Sequence, residues 1–490
     1  MRRASAFGRF GRAIAIAVAA LVTVGGAPLS LAAAETETMT VCPTCEISSL
    51  AEAIASAPAG ARVEVHGGVY PGGLVIEKPV TLVGIDGPVI DGGGSGTLLQ
   101  VRGAEVAIEG FTFRATGSNH DREDAAIVFD GGRAVITGNR IEDALFGIYL
   151  KQAHGSIVRD NVILAKQVDV AMRGDGIKVW YSNDTLIENN VAQDGRDVIL
   201  WYANGGTVRG NDFDRNRYGL HLMFSNGIRI EGNSLDENSI GLYVMYGRDI
   251  TIVGNSLSNN HGPSGGGLGF KDVDNAVVEG NRFVANQIGA QVDTSPVQPG
   301  VENLWRGNVF AFNDIGIGLT PSVRHNIFTE NSFIDNTEHV SVLGRGQLRD
   351  LTWAVDGRGN YWSDYAGYDA DGDGVGDRPY RSQRLFESLM DERPVLRLFQ
   401  FSPAALALDF AAKAFPEVRP ETKFEDPAPL MQAPRSPYLP PVAAAPTGSR
   451  LALGVASSLA LIASLAVVLR LRPVFSTAKR GSRPAYALGG

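Results

Sequence analysis

Three side chains in this sequence, His221, Met223 and Met245, combine a coherent chemistry with a regular spacing. One imidazole and two thioethers make a soft donor set, which favours Cu(I) over calcium or magnesium. Met245 stands 22 residues after Met223, and only seven methionines occur in the chain, one of them Met1, so two falling at equivalent places is informative. The plainer alternatives are packing, because methionine fills gaps, and a docking surface for another protein.

A second set is acidic. Asp369, Asp371, Asp373 and Asp377 occupy positions 1, 3, 5 and 9 of a loop punctuated by Gly372, Gly374 and Gly376. Alternate carboxylates on a backbone that bends freely can wrap oxygens round one hard cation, which makes calcium the candidate, with an acidic turn as the plain alternative. Tyr380 stands where an EF-hand would place its bidentate glutamate, so the loop is EF-like only. A third set belongs to a rival class of function, carbohydrate binding or polysaccharide processing, which uses paired carboxylates on an outward strand face. Asp169, Asp175, Asp197 and Asp293 are its candidate acids, with Lys178 and Lys271 to neutralise a uronate. No nucleophile motif or nucleotide loop is present, so any ATP hydrolysis belongs to a partner.

Cys42 and Cys45 are the only cysteines. In an oxidising compartment they form a local disulfide, and the functional alternative is a redox or copper-binding pair. No His or third Cys lies nearby in the sequence to complete a zinc site.

The elements that position these residues follow from a repeat. NDFDRNRYGLHLMFSNGIRIEG (211–232) lies on NSLDENSIGLYVMYGRDITIVG (233–254) without a gap. Asn139, Asn161, Asn190, Asn211, Asn233, Asn255, Asn281, Asn308 and Asn331 continue the ladder at separations of 22, 29, 21, 22, 22, 26, 27 and 23 residues. That period is too short for a propeller blade or a TPR and suits one coil of a right-handed parallel β-helix, an all-β solenoid with the longer separations as corner insertions. Each Asn is read as a corner former, since Asn tolerates left-handed backbone and its amides stack.

Eight residues after the Asn stand Gly147, Gly219, Gly241, Gly289 and Gly316, with Gly176 and Gly267 after insertions, while Val198 breaks the rule. These glycines open a strand along which side chains alternate, so Leu220, Leu222 and Phe224 point inward beside Leu242, Val244 and Tyr246. Counting on from the Asn places Tyr149, Leu200, His221 and Tyr243 in one outward column and Lys151, Tyr202, Met223 and Met245 in the next. Coils stack about 4.8 Å apart, which brings the two thioethers side by side. Tyr202, Tyr243 and, with a shifted register, Trp180 shield them.

Residues 60–362 are the coils. Residues 35–59 precede them as an N-terminal segment whose amphipathic helix, Ser48 to Ala57, caps the open end. Residues 363–395 hold the acidic loop and a C-terminal cap, and residues 396–449 are a proline-rich linker, with nine prolines between Pro416 and Pro446. The ends address the chain. Arg2, Arg3, Arg9 and Arg12 precede an apolar run and Ala32, Ala33 and Ala34, a secretory signal over 1–34. Residues 451–469 carry no charge and are followed by Arg470, Arg472, Lys479, Arg480 and Arg483, a transmembrane helix with a basic cytoplasmic tail at 470–490. The expected location is therefore the periplasm, tethered to the inner membrane. Without the two basic ends the middle holds 34 basic against 53 acidic residues, or −19, which argues against nucleic-acid binding and suits cations.

With the repeat, RYGLHLMFS (217–225) and GNYWSDYAGYDADGDGVGD (359–377) in one chain, the sequence resembles the NosD family, strongest over Gly176 to Gly254 and extending from about 45 to 395. The repeat alone is shared with the CASH domain of carbohydrate-binding proteins and sugar hydrolases. The resemblance implies a periplasmic accessory protein of nitrous oxide reductase maturation, partnered by an ABC-transporter ATPase and permease and serving a client copper enzyme. The early Cys pair and the C-terminal anchor depart from that pattern.

Overall fold

In the computed structural model, residues 37–262, 265–382, 385–400, 402–415 and 422–435 are described. The expected signal (1–34), transmembrane span (451–469) and basic tail (470–490) lie outside them.

Three parallel sheets of 13, 12 and 13 strands form the walls, and each strand pairs with its counterpart one coil away. This is the expected parallel β-helix, and three residue-level devices hold it. The first is the Asn ladder. Asn211, Asn233 and Asn255 are buried, and the amide side chain and backbone N–H of each donate to the carbonyl oxygen of the next Asn, as in Asn211 to Asn233 at 2.9 Å for both bonds. Asn360 extends it past Asn331.

A second Asn ladder, which the period-based reading missed, runs five residues after the first through Asn216, Asn238, Asn260, Asn286, Asn313 and Asn336. Its signal, two asparagines five apart in six successive coils, is visible in the sequence. The third device is the glycine column. A Cβ on Gly219, Gly241, Gly267 or Gly289 would lie 2.5–2.8 Å from the carbonyl oxygen of the next glycine, so no side chain fits.

The ladder asparagines themselves do not adopt left-handed backbone, which corrects that expectation. The residue just before each one does, for example Gly210, Gly232 and Gly254 at φ 62–63°. Glycine takes that conformation without steric cost. The corner after the outward strand uses one left-handed residue too: Tyr181, Tyr202, Phe224 and Tyr246 at φ 49–55°. That left-handed residue ends the strand's alternation, so Phe224 and Tyr246 do not point inward as the alternation predicted. They stack outside in a column, Tyr181–Tyr202–Phe224–Tyr246, with ring centroids 4.6, 5.0 and 4.7 Å apart. Left-handed strain of about 1–2 kcal/mol per residue is offset by stacking worth about 0.5–1.5 kcal/mol per pair.

Inside, Leu220, Leu222, Leu242 and Val244 are fully buried, as expected, and Leu268 in the next coil is buried with them. The helix Leu50–Ser56 covers the first coil with Leu50, Ala53 and Ile54, its N-terminus capped by Ser49, and Cys42 and Cys45 form a disulfide. At the other end the stretch read as linker holds a helix, Pro403–Ala414, and a short strand, Glu425–Asp426. There Asp426 closes the Asn ladder, accepting from the Asn360 backbone and amide and from Trp362 Nε1 at 2.7, 3.2 and 3.0 Å. Among the described residues no helix is long and apolar enough to cross a membrane.

Candidate functional site

The outward face of the 12-stranded sheet carries the soft donors. Met223 and Met245 are direct register partners, as are His221 and Tyr243. Both methionines are half-buried, and His221 is buried at 6% exposure. The expected neighbours in the coil below differ by one residue. Ile199 pairs with His221 and Trp201 with Met223, while Leu200 is a core residue and Tyr202 takes the corner. The cause is a register shift between Asp197 and Ile199, where two residue steps face the three from Tyr218 to His221. Coil 190–210 is one residue short, so Gly219 has no counterpart and Val198 occupies a core position rather than a failed glycine position. The outward column thus runs Lys151, Trp180, Trp201, Met223, Met245, Lys271.

His221 is held on three sides. Its Nδ1 meets Asp197 Oδ2 at 3.2 Å, Tyr218 lies edge-on at 5.1 Å, and Tyr243 stacks at 6.0 Å. Ionised Asp197 only accepts, so in the neutral imidazole the proton sits on Nδ1 and the lone pair on Nε2. Nε2 is buried without a hydrogen-bond partner, and so is Trp201 Nε1 on the same face. A buried polar atom left so costs about 1–3 kcal/mol and calls for a ligand or a bound water. A carboxylate behind a histidine with the far nitrogen free is the arrangement that orients metal-binding imidazoles. With two thioethers on adjacent coils, the donor set fits Cu(I).

Asp197 is almost fully buried and also binds Arg217. Burial works to raise its carboxyl, but the hydrogen bonds from His221 and Arg217 and the Arg217 charge outweigh it and hold the group below the usual carboxylate range. The neighbouring charges are matched in the same way. Arg196 grips Asp175 with two bonds of 2.8 Å, and Lys178 pairs with Glu123 while lying over the Tyr149 ring. Gly269, next to Tyr243 in register, has no side chain there, and a cleft of 310 Å³ opens between Tyr218, Tyr243, Gln291 and Asp293.

Of the rival acids, Asp175 and Asp197 are thus committed to arginines. Asp293 accepts from Thr294 and Thr320, and Asp169 precedes the short helix Val170–Met172 without capping it. Lys271 sits 6.0 Å over the Tyr246 ring.

In the acidic loop, Asp369, Asp371 and Asp373 each bring an oxygen within 4.8 Å of the others. Asp369 accepts from Gly374 and Gly372, and the Gly374 amide foremost holds its carboxyl below the usual range. Asp377, expected as the fourth ligand, is not in that group, and its Oδ2 accepts from the Ala370 amide at 2.8 Å.

Two family profiles match the chain: "Periplasmic copper-binding protein (NosD)" over residues 161–367 and "Right handed beta helix region" over 83–235. A Pseudomonas aeruginosa protein named "Probable ABC transporter binding protein NosD" is 34% identical over 383 residues, covering 76% of this chain and 89% of that protein. A protein of the same name from Stutzerimonas stutzeri is 29% identical over 399 residues, covering 77% and 88%. Among solved structures, the catalytic domain of a GH87 α-1,3-glucanase aligns at a TM-score of 0.48 and 13% identity, covering 67% of this chain and 69% of that one. The A-module of the Azotobacter vinelandii mannuronan C-5 epimerase AlgE6 aligns at 0.43 and 15%, covering 62% and 92%.

Proposed function

This chain belongs to the NosD family, and from that premise we propose that it carries Cu(I) in the periplasm for a copper enzyme of the nitrous oxide reductase type, working with the ATPase and permease of an ABC transporter. One observation carries the copper part: His221 Nε2, a buried nitrogen with no partner, on the face where Met223 and Met245 stand in register. Asp197 fixes the imidazole and His221 presents its lone pair. Met223 and Met245 add neutral sulfurs, which bind Cu(I) without releasing a proton. The ion is cargo, held by ligand exchange and handed on as Cu(I).

The relatives' printed names, ABC transporter binding protein, support the transporter partnership. We place the chain on the inner membrane through 451–469, and the Asp369–Asp371–Asp373 loop is proposed as a calcium site that stiffens the end of the solenoid. The carbohydrate reading is weaker. A sugar packs on the open face of an aromatic ring, and in the Tyr181–Tyr246 column each ring covers the next.

Anaerobic titration with Cu(I) against a competing chelator tests the copper reading. The Met223→Leu/Met245→Leu double variant keeps side-chain volume, so its fold should survive. Weaker binding is expected; unchanged affinity removes the site.

A further inference from the structure

The outward column that carries Met223 and Met245 has unlike neighbours on its two sides. In coil order it reads Trp180, Trp201, Met223, Met245, Lys271, each the register partner of the next and each half-buried. Adjoining coils lie about 4.8 Å apart, so in-register side chains on one face are immediate neighbours. A cation among the thioethers meets opposite surroundings along that line. Beyond Met245 stands Lys271, whose ammonium repels a second positive charge. Beyond Met223 stands Trp201, whose ring face is negative and attracts one, tryptophan offering the strongest of the aromatic faces. His221 lies two residues before Met223 on the strand Tyr218–Met223, not on the strand of Met245. Imidazole, indole and ammonium therefore all favour the Met223 end.

Packing alone does not call for an indole at 201. Trp201 Nε1 is buried without a hydrogen-bond partner, although a buried indole N–H ordinarily has one. A phenylalanine or leucine would fill the place with nothing left unpaired. The ring is held by stacking instead: Tyr202 lies nearly parallel to it, at 14° and 6.1 Å, and is itself fixed between Tyr181 and Phe224. The plain alternative is an indole packed on a thioether, a favourable contact that needs no ion.

We propose that Trp201 sets the ion preference of this site, its indole face lying against the Cu(I) that His221, Met223 and Met245 hold. The proposal rests on the copper reading of the outward face. Trp201 forms no bond to the ion, and no electron or proton moves. Cation–π attraction acts out to about 6 Å from the ring centroid, a range that neighbouring coils meet. A singly charged ion stripped of water gains from it, whereas a divalent ion that keeps bound waters, as magnesium does, is held off the ring.

The test uses the full chain without oxygen, with Cu(I) added as its acetonitrile complex and affinity read by competition with bicinchoninate. One equivalent should quench tryptophan emission in the wild type. Trp201→Phe should lose most of that change, because Trp305, Trp353 and Trp362 lie buried in the core. Trp201→Leu should bind Cu(I) roughly 3- to 30-fold more weakly, the size of a cation–π contact, with a thermal melt to check that it folds. If it does not fold, the emission of Trp201→Phe decides. Trp180→Leu, one coil further from Met223, should match the wild type in affinity. Equal quenching in the wild type and Trp201→Phe, unchanged affinity in Trp201→Leu, or an equal loss in Trp180→Leu overturns the role of Trp201 and leaves the copper site standing. Absence of Cu(I) binding by the wild type sinks both.

Discussion

Asp197 lies one coil below His221 and offers a single carboxylate oxygen, Oδ2, to both the imidazole Nδ1 and the Arg217 guanidinium. The aspartate therefore selects which nitrogen of His221 faces a ligand, without touching that ligand itself. In Asp197→Asn the side chain can offer an N–H instead of an acceptor, and the tautomer is no longer enforced. Cu(I) affinity should fall about 10- to 100-fold, the size seen when the group behind a metal-binding histidine is changed. Chelator competition measures it, and full affinity in Asp197→Asn would mean that Asp197 does not orient the ligand.

The same carboxylate sets an acid limit. Its folded-state pKa lies below the ordinary value, about 3.9 for aspartate, so its contribution to stability is complete above that value and is lost as pH falls through the lower folded one. Melting curves between pH 7 and pH 2 should show the wild type more stable than Asp197→Asn at neutral pH, with the gap closing below about pH 4. A gap that stays constant down to pH 2 contradicts the assignment.

Asn233 accepts from Asn211 and donates to Val208 and Asn255, all in the interior. Asn233→Ala leaves several buried groups without partners, a loss of roughly 2–5 kcal/mol. In a solenoid each coil couples mainly to its neighbours. Hydrogen exchange should therefore rise around 208–255 and stay low at 61–113, and a uniform rise would show that the coils unfold as one unit.

Chelation probes the acidic loop. If calcium binds there, EGTA lowers the melting temperature of the wild type, and Asp371→Ala removes the response. No shift with EGTA in the wild type rejects the site.

Truncation after residue 449 addresses the anchor. The shortened protein should move from the membrane pellet to the soluble periplasmic fraction, and a wild type already found in the soluble fraction refutes the span.

Much of the architecture was legible because each coil repeats a demand that few residues meet. A buried amide must pair with the next coil, and a glycine must admit a carbonyl where a Cβ would lie 2.5–2.8 Å from it. Asn and Gly therefore recur at the period itself. Two features escape for different reasons. Counting from the Asn assumes that every coil spends the same number of residues. The coil after Asn190 is one residue short, so the count put Tyr202 beside Met223 where Trp201 stands. Strict alternation sent Phe224 and Tyr246 inward, because pattern alone does not reveal a left-handed residue when it is aromatic rather than glycine. His221, Met223 and Met245 were placed correctly because coils 211–232 and 233–254 have equal length. Asp197, the partner of His221, reads from the sequence only as a carboxylate of the rival class, since its contact crosses the irregular coil.

The Asn ladder is directional. From Asn139 to Asn360 every Asn gives its backbone N–H and one amide hydrogen to the residue one coil on, the other amide hydrogen returning to a main-chain carbonyl of the coil before, and the Asp426 carboxyl receives at the end of that queue. A second molecule arriving end-on would need to offer acceptors to that terminal coil, and the chain already supplies its own. The solenoid is thereby made finite: a repeat that could in principle continue from one molecule into the next is stopped by a single buried carboxyl group.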